Sequence, residues 1–285
     1  MMLYISLFSR YIRLEQPSGC GAVSEDRTRQ MLDVSMTEIP SSHPRFASLV
    51  LRERLVEGFR QGIVAPQGLI AHGRGEMFDY LLGERTSKES RAASKAAAAL
   101  LVQARHPVIS VNGNVAALCP RDIVRLSEVA SARIEVCLFH RTDERVSKIQ
   151  KLLEDSSAKD VLGFLPDASI PGLEHMRGLC SREGVYSADV VVIPLEDGDR
   201  AEALSKMGKK TIAIDLNPMS RTARNATVTI VDEVTRAIPG LVSNVEDLKE
   251  EPSDARASLA RYDRDENLRK VSALMSRNLR TFLER

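Results

Sequence analysis

The sequence predicts a soluble α/β protein with a doubly wound, mostly parallel, Rossmann-like sheet, an N-terminal helical segment and a C-terminal helix. Two observations support this fold class: short β-branched runs alternate with helical stretches, and the runs are apolar throughout, as expected for strands buried on both faces. The predicted strands are VISVN (108–112), IEVCLF (134–139), DVVVIP (189–194), TIAID (211–215) and TVTIV (227–231).

Helical segments fit before and between these strands. Ser42 suits a cap and Pro44 a first turn, so a first helix is expected to begin there and to end at Gly62. An alanine-rich segment predicts a second helix over 88–105. Further helices are predicted at 120–131, 142–154 and 200–207, with Gly208 in a C-terminal cap position.

The chain divides by pattern into three parts. Residues 1–35 are irregular and turn-rich, an extension that is either untranslated or disordered, and Met36 is a candidate initiator. The main domain is expected over 36–245, with N-terminal helices at 41–105 and the sheet at 107–245. A helical tail is expected over 246–285.

Composition excludes several classes of protein. The 40 basic and 39 acidic residues among 285 give a formal charge of +1, so no net positive field attracts nucleic acid or anionic lipid. No apolar run approaches the roughly 20 residues of a membrane span. The four cysteines form no CxxC pair, which predicts free thiols and a cytoplasmic protein. The histidine spacing fits no metal motif, and no metal ligand is assigned.

The segment GLIAHGRGEMFDYLLGERT (68–86) combines four glycines with many charged side chains. Bare glycine backbone lets N–H groups approach an anion, and Arg74 can bind two of its oxygens at once. The alternative is a glycine-rich turn with a satisfied ion pair. The segment matches neither the dinucleotide fingerprint nor the P-loop.

Polar residues follow several predicted strands, where doubly wound sheets bind their ligands. Asn112-Gly113-Asn114 follows the first strand, Glu196 to Arg200 the third, and Asp215-Leu216-Asn217 the fourth. Carboxylates in the second of these loops can hold a ribose hydroxyl or Mg²⁺. Each loop also has a structural alternative: plain turns for the first and last, and a helix N-cap at Asp199 for the second.

Five ordered motifs carry a resemblance to a known family: SHPR (42–45), GLIAHGRGEMFDYLLGE (68–84), PVISVNGNVAAL (107–118), PLEDGDRAEAL (194–204) and IDLNPMSRTA (214–223). The chain resembles the archaeal 4-phosphopantoate–β-alanine ligases. The resemblance runs from about Thr37 to Leu241 and returns weakly in the final helix. The stretch 155–186, which includes Arg177, departs from the pattern, and we assign it no catalytic residue.

The resemblance implies a homodimeric enzyme that condenses 4-phosphopantoate with β-alanine at the expense of ATP and Mg²⁺. The products are 4-phosphopantothenate, AMP and diphosphate, formed through an acyl adenylate in coenzyme A biosynthesis. The catalytic candidates are Arg74, His72 and Glu76. Substrate contacts are expected from Arg45, Asn112 and Asn114. Nucleotide contacts are expected from Arg52, Arg74, Asp197, Gly198, Asp199, Arg200, Asp215, Leu216 and Asn217.

Other interpretations stay open at this point. Arg52 beside Glu53, and Arg74 near Glu76, can simply form surface ion pairs. The sheet and the acidic loop are also compatible with a non-catalytic nucleotide-binding regulator. An NAD-dependent oxidoreductase is less consistent with the sequence, because the glycine fingerprint that should follow an early strand is not found.

Overall fold

A computed structural model describes residues 39–174 and 176–284, without the side chains of 252–254. The chain divides into two units, residues 1–46 and 47–285. The expectations for 1–35, Met36 and Cys20 lie outside the described residues. The domain boundaries expected from the sequence stay predictions.

The second unit alternates strands and helices as expected. Its sheet strands are β1 (Pro107–Val111), β2 (Arg133–Val136), β5 (Val190–Pro194), β6 (Lys210–Ile214) and β7 (Val228–Ile230), with a small hairpin of β3 (Ala168–Ser169) and β4 (Leu179–Cys180). The helices before the sheet are α1 (Phe46–Arg60), which begins in the first unit, α2 (Pro66–Leu82) and α3 (Lys88–Gln103). The later helices are α4 (Gly113–Leu118), α5 (Pro120–Ala130), α6 (Asp143–Asp155), α7 (Gly198–Lys206), α8 (Arg221–Asn225), α9 (Val234–Glu250), α10 (Pro252–Ala260) and α11 (Arg264–Leu283).

The five-stranded sheet has the order β2-β1-β5-β6-β7, and every pair in it is parallel. The chain runs outward from β1 to β2 and then returns to the other side of β1, so the strand order reverses between β1 and β5. A doubly wound sheet binds its ligands in the crevice at this reversal. The mostly parallel fold class predicted from the sequence is confirmed.

Helices cover both faces of the sheet because its strands are apolar on both faces. The burial pattern of β1 and β5 is continuous, with all five residues of each strand buried. Five consecutive fully or nearly fully buried residues of α3, Ala96 to Leu100, pack within the larger of two clusters that flank the sheet. Small side chains here permit close helix–sheet packing.

Two expectations about the N-terminal helices were wrong. Ser42 and Pro44 lie in a turn that precedes α1, which begins only at Phe46. The glycine-rich segment is not a turn: residues 66–82 form the continuous helix α2, and only Gly83, at φ 90°, ends it in a left-handed conformation.

Close packing explains one of the three glycines inside α2, each of which costs about 1 kcal/mol relative to alanine. A Cβ atom at Gly68 would lie 2.1 Å from Asn114 Oδ1, so the helix approaches the loop after β1 too closely for a side chain there. A Cβ atom at Gly75 would lie 3.6 Å from Leu216, which is an ordinary contact with the loop after β6. A Cβ atom at Gly73 would meet no described atom within 4 Å, so its side of α2 is open.

Candidate active site

A cleft of about 950 Å³ lies at the carboxyl edge of the sheet. It is bounded by α2, by the loops that follow β1, β2, β5 and β6, and by the start of α9. It brings together most of the residues predicted from the sequence: His72, Arg74, Glu76, Asn112, Asn114, Asp197, Gly198, Asp199, Asp215, Leu216 and Asn217. Arg52 and Arg200 are outside this lining, and Arg45 belongs to the first unit.

Helix α2 presents an acidic and histidine-bearing face to the cleft. His72, Glu76 and Asp79 follow one another at helical spacing, and Glu76 and Asp79 are buried residues. Glu76 accepts hydrogen bonds from Arg52 Nη2 at 2.6 Å and from the Tyr80 hydroxyl at 2.8 Å. The ion pairs offered as alternatives, Arg52 with Glu53 and Arg74 with Glu76, are therefore not those observed, because α1 lies against α2 and Arg52 reaches across to that helix.

His72 lies in a partly desolvated environment. Burial lowers the pKa of its imidazole from the usual value of 6.5, and the positive charge of Arg52 acts in the same direction. The carboxylates of Glu76 and Asp79 oppose this shift but do not reverse it. The ring is therefore neutral at neutral pH and able to accept a proton.

Asp79 ties α2 to the start of α9 through a two-pronged ion pair. Arg236 donates to Asp79 Oδ1 at 2.5 Å and to Oδ2 at 3.1 Å, and it also reaches Asp232, which is fully buried. Although burial disfavours the Arg236 charge, these two carboxylates raise its pKa. Asp232 also accepts a hydrogen bond from the Thr86 hydroxyl. The network fixes the helix that carries His72.

The acidic loop after β5 is held by an arginine to which the sequence assigned no role. Arg177 Nη2 lies 2.6 Å from Asp199 Oδ1 and 2.9 Å from Asp197 Oδ2. Its guanidinium also stacks 4.1 Å from the centre of the Phe139 ring. Asp197 is the N-cap residue of α7 and makes no side-chain cap bond, whereas Asp199 in the first turn accepts a hydrogen bond from the Arg200 backbone N–H at 2.9 Å. The capping role offered as the alternative for Asp199 is therefore partly observed, beside its ion pair with Arg177.

Arg200 lies beneath this loop, with 2% of its surface exposed. It donates to the Arg177 carbonyl at 2.7 Å and to Cys137 Sγ at 2.9 Å, and it pairs with Glu196 at 3.4 Å. These contacts indicate that its side chain supports the acidic loop from below. The predicted nucleotide contact of Arg200 stays a prediction. Burial raises the pKa of the Cys137 thiol to about 12, so this cysteine is not an activated nucleophile.

The loop after β6 is ordered by its own aspartate. Asp215 accepts hydrogen bonds from the Asn217 backbone N–H at 2.9 Å and from the Ser220 hydroxyl at 2.5 Å. Burial raises the pKa of this carboxyl, while these two hydrogen bonds and the positive charge of Arg74 act against the shift. Arg74 therefore acts electrostatically on the β6 side of the cleft.

The amide loop after β1 spans the reversal of strand order. Asn112 caps α4 and donates from Nδ2 to the carbonyls of Pro194 and Leu195, each at 3.1 Å. Asn114 donates to the Gly68 carbonyl at 2.9 Å. The loop is thus a short helix start rather than the plain turn offered as its alternative. It joins β1 to both β5 and α2.

Sequence reasoning missed Arg145, Asp232, Glu233 and Arg236. The strand-end rule applied to the others would have found Asp232 and Glu233, since only Val231 separates them from the end of β7. No pattern in the sequence signals Arg145, which enters the cleft from the first turn of α6.

The described residues lack two further features. None of their helices is both long and apolar enough to cross a membrane. In the same residues, no three side chains of histidine, cysteine, aspartate or glutamate gather in a way that would hold a metal ion. Cys119, Cys137 and Cys180 are free and buried, as expected for thiols.

The fold and the cleft define a doubly wound α/β protein with a polar site at the carboxyl edge of its sheet. A family model described as phosphopantothenate/pantothenate synthetase matches residues 89–278. The chain belongs to this family.

The curated relatives agree with this assignment and are named 4-phosphopantoate–β-alanine ligase. The Methanosarcina mazei protein is 50% identical over 247 residues, which cover 86% of this chain and 97% of that protein. The Methanospirillum hungatei protein is 57% identical over 71% of this chain and 83% of its own length. The Thermococcus kodakarensis protein is 51% identical over 75% of this chain and 83% of its own length. The predicted resemblance is confirmed, and the chain is an enzyme of the ligase class.

Proposed function

We propose that this enzyme condenses 4-phosphopantoate with β-alanine in coenzyme A biosynthesis, using ATP and releasing AMP and diphosphate. One observation carries the proposal: the acidic loops after β5 and β6 line the same cleft as Arg74 of helix α2. Adjacent parallel strands place their carboxyl ends side by side. Carboxylates there suit the ribose hydroxyls of a nucleotide, and the arginine suits its phosphates.

The first step joins the acid to the nucleotide. A carboxylate oxygen of 4-phosphopantoate attacks the α-phosphorus of ATP, the bond from that phosphorus to the bridging oxygen breaks, and diphosphate leaves. Negative charge grows on the phosphorus oxygens in this step, and positioned cations stabilise it. Arg74 is suited to this role because no ion pair to its guanidinium occurs within the described part of the second unit.

The second step forms the amide bond. The amine of β-alanine attacks the carbonyl carbon of the acyl adenylate, the bond to the AMP oxygen breaks, and AMP leaves. The attacking nitrogen must lose a proton, and the neutral imidazole of His72, which lies beside Glu76 on α2, is a base that lines the cleft. Glu76 is less suited to that role, because its carboxylate accepts two hydrogen bonds from Arg52.

Mg²⁺ is expected to arrive with the phosphates of ATP. Magnesium retains several waters and binds through one or two carboxylates plus phosphate oxygens, rather than in an all-protein cage. Asp197 and Asp199, at the carboxyl edge of the sheet, would supply such carboxylates, and Arg177 pairs with both of them. Homodimer formation and a cytoplasmic location, both expected from the sequence, complete the proposal.

Product analysis tests the proposal. Purified protein is incubated with ATP and Mg²⁺, and 4-phosphopantoate and β-alanine are omitted in turn. The expected result is AMP and 4-phosphopantothenate in equal amounts, only with both substrates present. Binding of ATP without any product would contradict the ligase and favour a nucleotide-binding regulator.

A further inference from the structure

We propose that Arg145, on the β1–β2 side of the cleft, binds the phosphate group of the acid substrate, in a subsite separate from that of the nucleotide phosphates. The inference rests on the proposed function and names where its phosphorylated substrate lies. Arg145 was not among the candidates from the sequence, and its surroundings in the structure carry the argument.

Arg145 is fixed in position by two backbone carbonyls. Its Nε donates to the Ile63 carbonyl at 2.8 Å, and its Nη1 donates to the His140 carbonyl at 2.7 Å. These bonds orient the guanidinium and leave the Nη2 hydrogens without a partner in the described part of the second unit. A planar guanidinium held in this way is preorganised to donate to an oxyanion.

The charge of Arg145 is uncompensated. Within the described part of the second unit, no ion pair to it occurs, whereas the cleft arginines Arg177 and Arg236 each pair with two carboxylates. Burial lowers the pKa of Arg145, and no carboxylate acts against that shift. A partly buried cation without a counter-ion is costly, and a bound anion removes the cost.

Gly113 makes room for this guanidinium. A Cβ atom at that position would lie 2.7 Å from Arg145 Nη2 and 2.3 Å from the Ile63 carbonyl oxygen. Only glycine permits the approach. Arg145, Gly113 and His140 all line the cleft, and the Arg145 guanidinium lies against Gly113 and the His140 carbonyl.

The position of Arg145 in the sheet separates it from the nucleotide loops. Arg145 lies in the helix that follows β2, at the β2–β1 end of the sheet. The acidic loops follow β5 and β6, on the other side of β1, and Arg74 acts electrostatically on Asp215 in the loop after β6. Strands β1 and β6 are two places apart, a separation of about 10 Å. An acid with its carboxylate at one end and its phosphate at the other can therefore present the carboxylate to ATP and keep its phosphate away from the triphosphate.

Steady-state kinetics of the full-length Arg145→Met variant test the inference. We expect its KM for 4-phosphopantoate to rise by about 10-fold or more, with the KM for ATP unchanged, because charge-assisted hydrogen bonds to phosphate are lost. The preference of the wild type for 4-phosphopantoate over unphosphorylated pantoate should also collapse, an effect that general structural damage would not produce. Arg141→Met is the matched control, since Arg141 also donates to two carbonyls but does not line the cleft.

Inorganic phosphate provides a test on the unmodified protein. It should inhibit the wild type competitively against 4-phosphopantoate and not against ATP. If Arg145→Met fails to fold, Arg145→Lys keeps the charge but not the fork and should give an intermediate KM. If the wild type is active, either of two results would overturn the inference. One is an unchanged KM for 4-phosphopantoate in the folded variants, and the other is inhibition by phosphate that is competitive only against ATP. A wild type that makes no 4-phosphopantothenate would instead overturn the proposed function.

Discussion

Arg52 on α1 and Glu76 on α2 form an ion pair, with Nη2 and Oε2 2.6 Å apart. The arginine side chain is 41% exposed, while the glutamate is 9% exposed. The pair joins two residues that the sequence assigned to different tasks, ATP binding and catalysis. Each side chain therefore affects the position of the other.

A double-mutant cycle separates a direct role of Arg52 from one exerted through Glu76. We expect Arg52→Ala to weaken ATP binding. The losses in ATP-binding free energy caused by Arg52→Ala and Glu76→Gln should be non-additive, because each change removes the partner of the other residue. ATP affinity measured by titration calorimetry for the two single variants and the double variant checks this. Strictly additive costs would show that the ion pair has no part in the site.

Arg74→Ala is expected to lower kcat by about 10²-fold or more, because it removes a cation placed for the transferring phosphorus. Arg85→Ala, just after the same motif and outside the cleft lining, is the matched control and should retain activity. Thermal unfolding of both variants shows whether the fold is kept. An active, folded Arg74→Ala variant would exclude Arg74 from the site.

Arg177→Met is expected to raise the KM for ATP. Arg177 holds the side chains of Asp197 and Asp199, so its removal frees the two carboxylates that are proposed to receive the nucleotide and Mg²⁺. Arg177→Lys, which keeps the positive charge, should raise the KM less. Initial rates over a range of ATP concentrations at fixed free Mg²⁺ measure both effects. An unchanged KM for ATP in a folded Arg177→Met variant would contradict this role.

The pH dependence of the rate should report His72. Because burial lowers the folded-state pKa of its imidazole below 6.5, the neutral base is present at neutral pH and is lost as pH falls through that lower value. We therefore expect kcat to decline only below pH 6.5, and His72→Gln to abolish this acidic limb. A limb that persists unchanged in His72→Gln would assign the base elsewhere.

The lowered pKa of His72 should also make the free energy of unfolding depend on pH. Between the lowered folded pKa and the usual value of 6.5, the unfolded chain binds more protons than the folded chain, so the free energy of unfolding falls as pH falls through this window. Urea unfolding of the wild type and of His72→Gln at several pH values measures the contribution. The fall in the free energy of unfolding over this pH window should be smaller in His72→Gln than in the wild type.

The five strands of the parallel sheet could be predicted because their apolar runs are short and β-branched, and each begins within one residue of its predicted start. The two-residue strands β3 and β4 were not predicted. Helix α2 could not, since three glycines oppose a helix locally. Its contacts with Asn114 and Leu216, which lie far along the chain, explain why the segment is helical. Local propensity determines the secondary structure of such a segment only where packing against distant residues does not override it.

Only part of the site could be predicted from the sequence, because the rest depends on packing between distant segments. Residues that directly follow strands, such as Asp197 and Asp215, could be located from the strand pattern alone, and the structure brings them into one cleft. Arg145 and Arg236 enter from helices, so their place in the cleft depends on how those helices pack. The partner of Glu76 was also unpredictable, because Arg52 lies 24 residues away in the chain.

Isotope transfer tests the central claim, that the acid's carboxylate attacks the α-phosphorus of ATP, most directly. 4-Phosphopantoate carrying ¹⁸O in both carboxylate oxygens is turned over with ATP, Mg²⁺ and β-alanine, and the products are analysed by mass spectrometry. We expect one ¹⁸O atom in AMP and none in diphosphate. Unlabelled AMP, or formation of ADP with labelled phosphate, would contradict it.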